Sequence, residues 1–141
     1  MKLSVKDRLL ILQMLPDEAN IITMRVVHDL KRDLGFSEAE SKSLSFMSGE
    51  SWEAGCPNCK GQDLEIALDK DYGVNMGKCL SCNHKGLIIA NQIGWNQSAA
   101  KEEDIEIGDV AKKIIREQFE ALDEQGKIIP DHLEICEKFG L

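Results

Sequence analysis

The stretch Cys56-Pro57-Asn58-Cys59, followed after nineteen residues by Cys79-Leu80-Ser81-Cys82, decides the fold. Each Cys-x-x-Cys pair offers two sulfurs from one tight turn, with backbone N–H groups directed back at them. Zn²⁺ takes four soft ligands at tetrahedral corners, about 2.3 Å from each sulfur. The separation of the two pairs falls within the zinc-site template. One structural Zn²⁺ is therefore expected on Cys56, Cys59, Cys79 and Cys82. The alternatives are two disulfides or four inert buried thiols. Disulfides suit a secreted chain, and Met1-Lys2-Leu3-Ser4-Val5 runs straight into a charged amphipathic pattern, so no leader is expected.

Between and after the pairs the apolar residues alternate at strand spacing. Leu64, Ile66 and Leu68 form one run, and Tyr72, Val74 and Met76 another, with Asp69-Lys70-Asp71-Tyr72-Gly73 as the turn between them. Gly86 to Ala90 supplies a third strand. Taken together, C-P-N-C…C-L-S-C-N-H-K-G resembles the knuckle, hairpin and knuckle of zinc ribbons in primases and transcription factors. That resemblance implies the module and leaves its task open.

Outward from the ribbon the period changes to that of helices. Ser4 caps a first helix over 4–15, stopped by Pro16 and apolar enough to be mostly buried. Asn20 caps a second, running to Leu34 with Gly35 as its C′ residue, and its stripe is Ile22, Thr23, Val26, Val27, Leu30 and Leu34. Ser37-Glu38-Ala39-Glu40 is a capping box for a short third helix to Leu44. Phe46–Trp52 and Ile93–Trp95 are expected to lie close together, as the stems through which the ribbon is inserted. Trp52 either packs the insert onto the helices or stands exposed as a binding anchor, and Trp95 mirrors it.

Beyond the ribbon, Ile105-Glu106-Ile107 alternates as a short strand. Asp109 is expected to cap a helix to Gln125, with Ala111, Ile115, Phe119 and Leu122 inward. Asp131-x-x-Glu134 opens a last helix, facing inward through Leu133, Cys136 and Phe139 or through Ile135 and Phe139. Cys136 reads as a small core residue. The expected fold class is α+β: a small, mainly helical domain, residues 1–52 and 93–141, with an inserted four-cysteine zinc ribbon, residues 53–92, of three antiparallel strands.

Net charge is −8 and uneven. Residues 1–52 carry seven basic and eight acidic side chains, 53–95 four and five, and 96–141 six and twelve. Tight phosphate binding needs clustered Lys or Arg, and no segment is basic. The longest apolar run, Leu9 to Leu12, falls far short of a bilayer span. A cytoplasmic chain is expected, without membrane or small-molecule partners.

Four cysteines close a tetrahedral zinc, whereas catalytic zinc keeps a position for water. His84, two residues after Cys82, is therefore surplus as a ligand. His28 and His132 match no nucleophile spacing, and no phosphate-binding Gly-rich loop is present, so the chain reads as no enzyme. A protein partner is expected, with Lys60, Tyr72, Lys78, His84 and Lys85 on the ribbon and Glu117, Glu120, Asp123 and Glu124 on the acidic helix as candidate contacts. That helix ends acidic, against its own macrodipole. Nucleic-acid binding through the ribbon lysines and Tyr72 is the rival reading, and a DNA mimic made of the C-terminal carboxylates a remote one.

The flanks carry a second likeness. Arg8-Leu9-Leu10…Leu15-Pro16-x-Glu18-x-Asn20, Phe36-Ser37-Glu38-x-Glu40, Trp95-Asn96, Ile105-Glu106-Ile107-Gly108 and His132-Leu133…Glu137-Lys138-Phe139 resemble a small family of phage-borne proteins of unassigned role. The resemblance implies a phage or mobile-element origin, a host-cell cytoplasmic setting and a host or phage protein as the partner of an adaptor or inhibitor. It carries over no functional residue.

Overall fold

A computed structural model describes all 141 residues, 1–141, as an α+β chain of two compact units. The first comprises Met1–Gly35 and Lys101–Leu141, the second Phe36–Ala100.

The first unit is helical. After a two-residue strand β1 (Lys2–Leu3), Ser4 caps helix α1 (Val5–Met14) through a full capping box with Asp7, and Asn20 caps α2 (Ile21–Leu34) by accepting from Thr23 N–H. Their core joins Leu3, Ile11, Val27, Leu30 and Leu34 to residues from the C-terminal part of the chain. The early turns of α2 depart from the expected stripe. Ile22 is 75% exposed beside an exposed Ile21, because the core-facing residues of α2 are Val27, Leu30 and Leu34, with Met24 and Val26 partly buried against the same core. Gly35 is extended, not left-handed, as α2 ends. Arg8 explains this ending: its guanidinium donates to the carbonyls of Leu34 and Gly35, two of the acceptors a helix C-terminus leaves open. Asp7 is likewise fully buried and accepts from Lys138 Nζ at 2.7 Å. A helix that reads as uniformly apolar thus buries two charges.

The C-terminal segments also differ from expectation. The strand lies at β7 (Glu103–Asp104), antiparallel to β1, and not at Ile105-Glu106-Ile107. Ile105 and Ile107 are buried all the same, and Ile105 prolongs the pairing by exchanging backbone hydrogen bonds with Met1 at 2.9 and 3.2 Å. Gly108, not Asp109, is the N-cap of α4 (Asp109–Glu124); Asp109 is its first helical residue. In α5 (Pro130–Lys138) Pro130 takes the first turn and Ile129 the cap position, which places Asp131 inside the helix. Of the two inward faces considered for α5, Ile135 and Phe139 are buried while Leu133 is 56% exposed.

The second unit carries the ribbon, and more than the ribbon. Helix α3 (Glu38–Leu44), capped by Ser37, and strand β2 (Met47–Ser48) belong to it, so its bounds lie outside the expected 53–92. The physical reason is bonding across the stems. β2 pairs antiparallel with β6 (Ile93–Gly94), and Asn96 N–H donates to Leu44 O at 2.7 Å. The expected closeness of Phe46–Trp52 and Ile93–Trp95 is met by this pairing. The main sheet has order β3-β4-β5, with β3 (Leu64–Asp69), β4 (Val74–Cys79) and β5 (Lys85–Leu87) antiparallel throughout. At the hairpin, Gly73 is left-handed and Asp69 Oδ1 accepts from the N–H groups of Asp71 and Tyr72.

Trp52 is 8% exposed and packs on this sheet. Gly77 and Gly86 face each other across β4 and β5. A Cβ on Gly77 would stand 2.9 Å from the Trp52 ring. Two opposed glycines thus make the flat bed on which the indole lies. Trp95 is half-buried, edge-on to Phe46 at 6.4 Å.

Candidate metal centre

The two Cys-x-x-Cys turns have the same build. Cys56 N–H donates to Gly61 O at 2.9 Å, and Cys79 N–H to His84 O at 2.8 Å. Lys60 N–H closes onto Cys56 O at 2.8 Å, and Asn83 N–H onto Cys79 O at 2.9 Å. The residue after each second cysteine, Lys60 or Asn83, is left-handed, with φ of 63° and 62°. That twist turns the chain back so that both sulfurs of a pair point inward.

The four sulfurs converge. All lie within 4.8 Å of one another, with Cys56 to Cys82 at 3.6 Å and Cys59 to Cys79 at 3.5 Å. A tetrahedron with arms of about 2.3 Å has edges of about 3.8 Å, so the cluster fits one small ion with little movement. The surroundings suit a charged sulfur cage. Asn58 N–H points at Cys56 Sγ and Gly61 N–H at Cys59 Sγ, each at 3.4 Å, and Asn58 Nδ2 reaches Cys82 Sγ at 3.5 Å. A Cβ on Gly61 would sit 3.2 Å from Cys59 Sγ, so glycine there keeps the cage uncrowded.

The sulfurs differ in acidity. The Asn58 side chain, then the His84 N–H, pull the Cys82 thiol down to about 6. At Cys59 the Gly61 N–H pulls downward, but hydrogen bonds shared with Cys79 and Cys82, burial and Cys56 together raise it to about 12. Thiols this close compete for the same protons, and a divalent cation relieves that competition by taking their place. When bound, the ion supplies a rigid link between the two turns.

His84 is outside the sulfur cluster. It stacks on Trp52 with ring centroids 5.7 Å apart, and its Nε2 lies 2.7 Å from Glu50 Oε2. Glu50, 34 residues away in sequence, gave no signal of this role; nor did the bed of glycines below Trp52. Trp52 Nε1 is buried without a partner.

The other candidate residues divide. Lys85 is bound to Asp69 at 2.6 Å, which with the Tyr72 N–H holds the Asp69 carboxyl below its usual range and raises the lysine. Tyr72 Oη donates to Ser45 O. Lys60 and Lys78 are exposed. The structure therefore engages Tyr72, His84 and Lys85 internally and leaves two ribbon lysines facing water. Glu117, Glu120, Asp123 and Glu124 are all exposed on α4, in the other unit, with Glu117 3.9 Å from Lys113. Cys136 lies half-buried on α5 beside the helical core, where burial raises its thiol.

No helix is long and apolar enough to cross a membrane. No protein family, curated protein or solved structure matches the chain.

Proposed function

We propose that this chain is a non-enzymatic zinc protein that acts by binding another protein, as an adaptor or inhibitor. The observation that carries the reading is the closed cage. Four sulfurs around one ion leave no coordination position for water or substrate, so the metal holds shape and does no chemistry. What it holds is a small sheet with apolar side chains exposed on it, Ile66 and Leu68 among them. The flank resemblance suggests a mobile-element origin, and hence a host or phage protein as partner.

Nucleic-acid binding is less well supported. Of its candidate contacts, Lys85 and Tyr72 already have partners within the unit, and the unit has five basic against eight acidic side chains. Three exposed lysines, Lys60, Lys70 and Lys78, in an acidic module make a poor phosphate track.

Cobalt substitution tests the metal reading. One Co²⁺ per chain with the ligand-field and charge-transfer bands of a tetrahedral tetrathiolate is expected. A five-coordinate spectrum, or one that responds to added azide, would refute a closed site. Binding of a duplex with a steep salt slope would refute the choice of a protein partner.

A further inference from the structure

The ribbon sheet ends in an open edge. β3 pairs with β4 on one side only, and its other side has no strand. Which backbone groups face outward follows from the bonds at its two ends. Leu80 N–H donates to Asp63 O, and Gly73 N–H to Asp69 O. Antiparallel pairs alternate between bonded and non-bonded, so Glu65, Ala67 and Asp69 bond to β4. The N–H and C=O groups of Ile66 and Leu68 therefore point away from the sheet. Their side chains are 60% and 66% exposed. Leu68 also borders an apolar hollow of about 320 Å³ with Val74, Leu87, Ile88 and Ile89. Free backbone groups with apolar side chains at alternate positions are what an added strand needs.

Charge decides what kind of strand. The edge reads Asp63-Leu64-Glu65-Ile66-Ala67-Leu68-Asp69, with three acids and no base. A second copy pairing about a two-fold axis sets acid against acid. Centred on Ile66 it opposes Asp63 to Asp69, centred on Glu65 it opposes Glu65 to itself, and centred on Ala67 it opposes Glu65 to Asp69. Like charges directly opposite are destabilising. Self-pairing is thereby disfavoured, most where Glu65 meets itself, since Asp69 is already paired with Lys85, while a strand with Lys or Arg opposite Asp63 and Glu65 is attracted.

We propose that β3 is a docking edge that takes an extended segment of a partner protein, alternating basic and apolar residues, as a fourth strand. The proposal rests on the protein-binding reading above and names the partner's chemistry. Apolar residues of the segment would lie beside Ile66 and Leu68, and its basic residues beside Glu65 on the opposite face.

The test uses the full zinc-loaded chain, ¹⁵N-labelled, titrated with a ten-residue peptide alternating lysine and valine and with its glutamate–valine counterpart. The lysine peptide should shift the Ile66 and Leu68 amides and slow their exchange at least about tenfold. Glu65→Gln should weaken it about threefold. Leu68→Pro removes an outward N–H without touching the ladder to β4 and should abolish binding, while Leu68→Ala keeps the N–H and retains most of it. Unmoved strand amides at saturating peptide, or an equal response to both peptides, would overturn the proposal. Should Leu68→Pro lose zinc, the amide map and Glu65→Gln decide alone. A chain that ignores the peptide yet binds a protein through another face overturns the edge only. A chain that binds no protein overturns the reading beneath it.

Discussion

The two units are held together by different means. The helical unit buries fourteen apolar side chains in one cluster, from Leu3 to Phe139. The ribbon unit gathers Trp52, Cys56 and Cys79 in one cluster, with Leu64, Cys82 and Ile88 partly buried against them, and buries Leu44, Met76 and Leu87 outside it. Burial stabilises by roughly 25 cal/mol per Å² of apolar surface, so the smaller core leaves Phe36–Ala100 nearer the margin of stability. Zinc in the proposed cage would make up the difference, since structural zinc contributes on the order of 10 kcal/mol at neutral pH. One unit should therefore fold from its side chains alone, and the other only with its ion.

Metal removal is the largest way to break this contrast. Both tryptophans lie in the ribbon unit, and four of the five helices in the other. Chelation, or Cys79→Ser, should red-shift the fluorescence while most of the helical circular dichroism survives. Acid should act similarly, because zinc binds thiolates and releases them as they take up protons. Loss of both signals together would show that the units are one cooperative structure.

Phe119→Ala attacks the opposite side. Phe119 is 1% exposed, and truncation of a buried Phe costs about 3–5 kcal/mol. The helical transition should fall accordingly while zinc content and tryptophan emission stay as they were. A smaller effect is expected from Lys138→Met, which leaves the buried Asp7 carboxylate without its ion pair. Breaking a fully buried pair costs about 3–5 kcal/mol. Lys138 is 24% exposed, so solvent screens part of the interaction and about 2 kcal/mol is expected in urea unfolding.

The same contrast governs what could be read from sequence. The metal cage was legible because its geometry is local: two sulfurs per turn, and a hairpin of fixed length between. The caps at Ser4, Asn20 and Ser37 were legible for the same reason. Asp7 and Arg8 were not, because their burial depends on Lys138 and the end of α2, which lie 131 and 26 residues away. Likewise the bed under Trp52 needs the register that sets Gly77 opposite Gly86. Even Gly49 has a distant cause: a Cβ there would stand 1.7 Å from Ile89 O. Periodicity names which residues prefer to be buried, but a partner far along the chain decides whether a charge joins them.

The smallest effect concerns how each unit meets its tight turns. The helical unit places glycine at its left-handed positions, Gly126 and Gly140, with φ of 65° and 75°. The ribbon unit has positive φ at Gly55 and Gly73 as well, but also at four residues with side chains, Ser45, Asn91 and, at its two cysteine turns, Lys60 and Asn83. A left-handed residue with a Cβ costs roughly 1–2 kcal/mol, less for Asn, and binding of the ion can offset it. Glycine relieves that strain but loses about 0.5–1 kcal/mol of chain entropy on ordering. Lys60→Gly should therefore tighten zinc binding by no more than about fivefold in competition with a chelator, and Asn83→Gly should leave it nearly unchanged. The ordering matters more than the size. An equal gain at both turns would mean that Asn83 is as strained as Lys60, and a loss at Lys60 would mean that its side chain supports the cage directly.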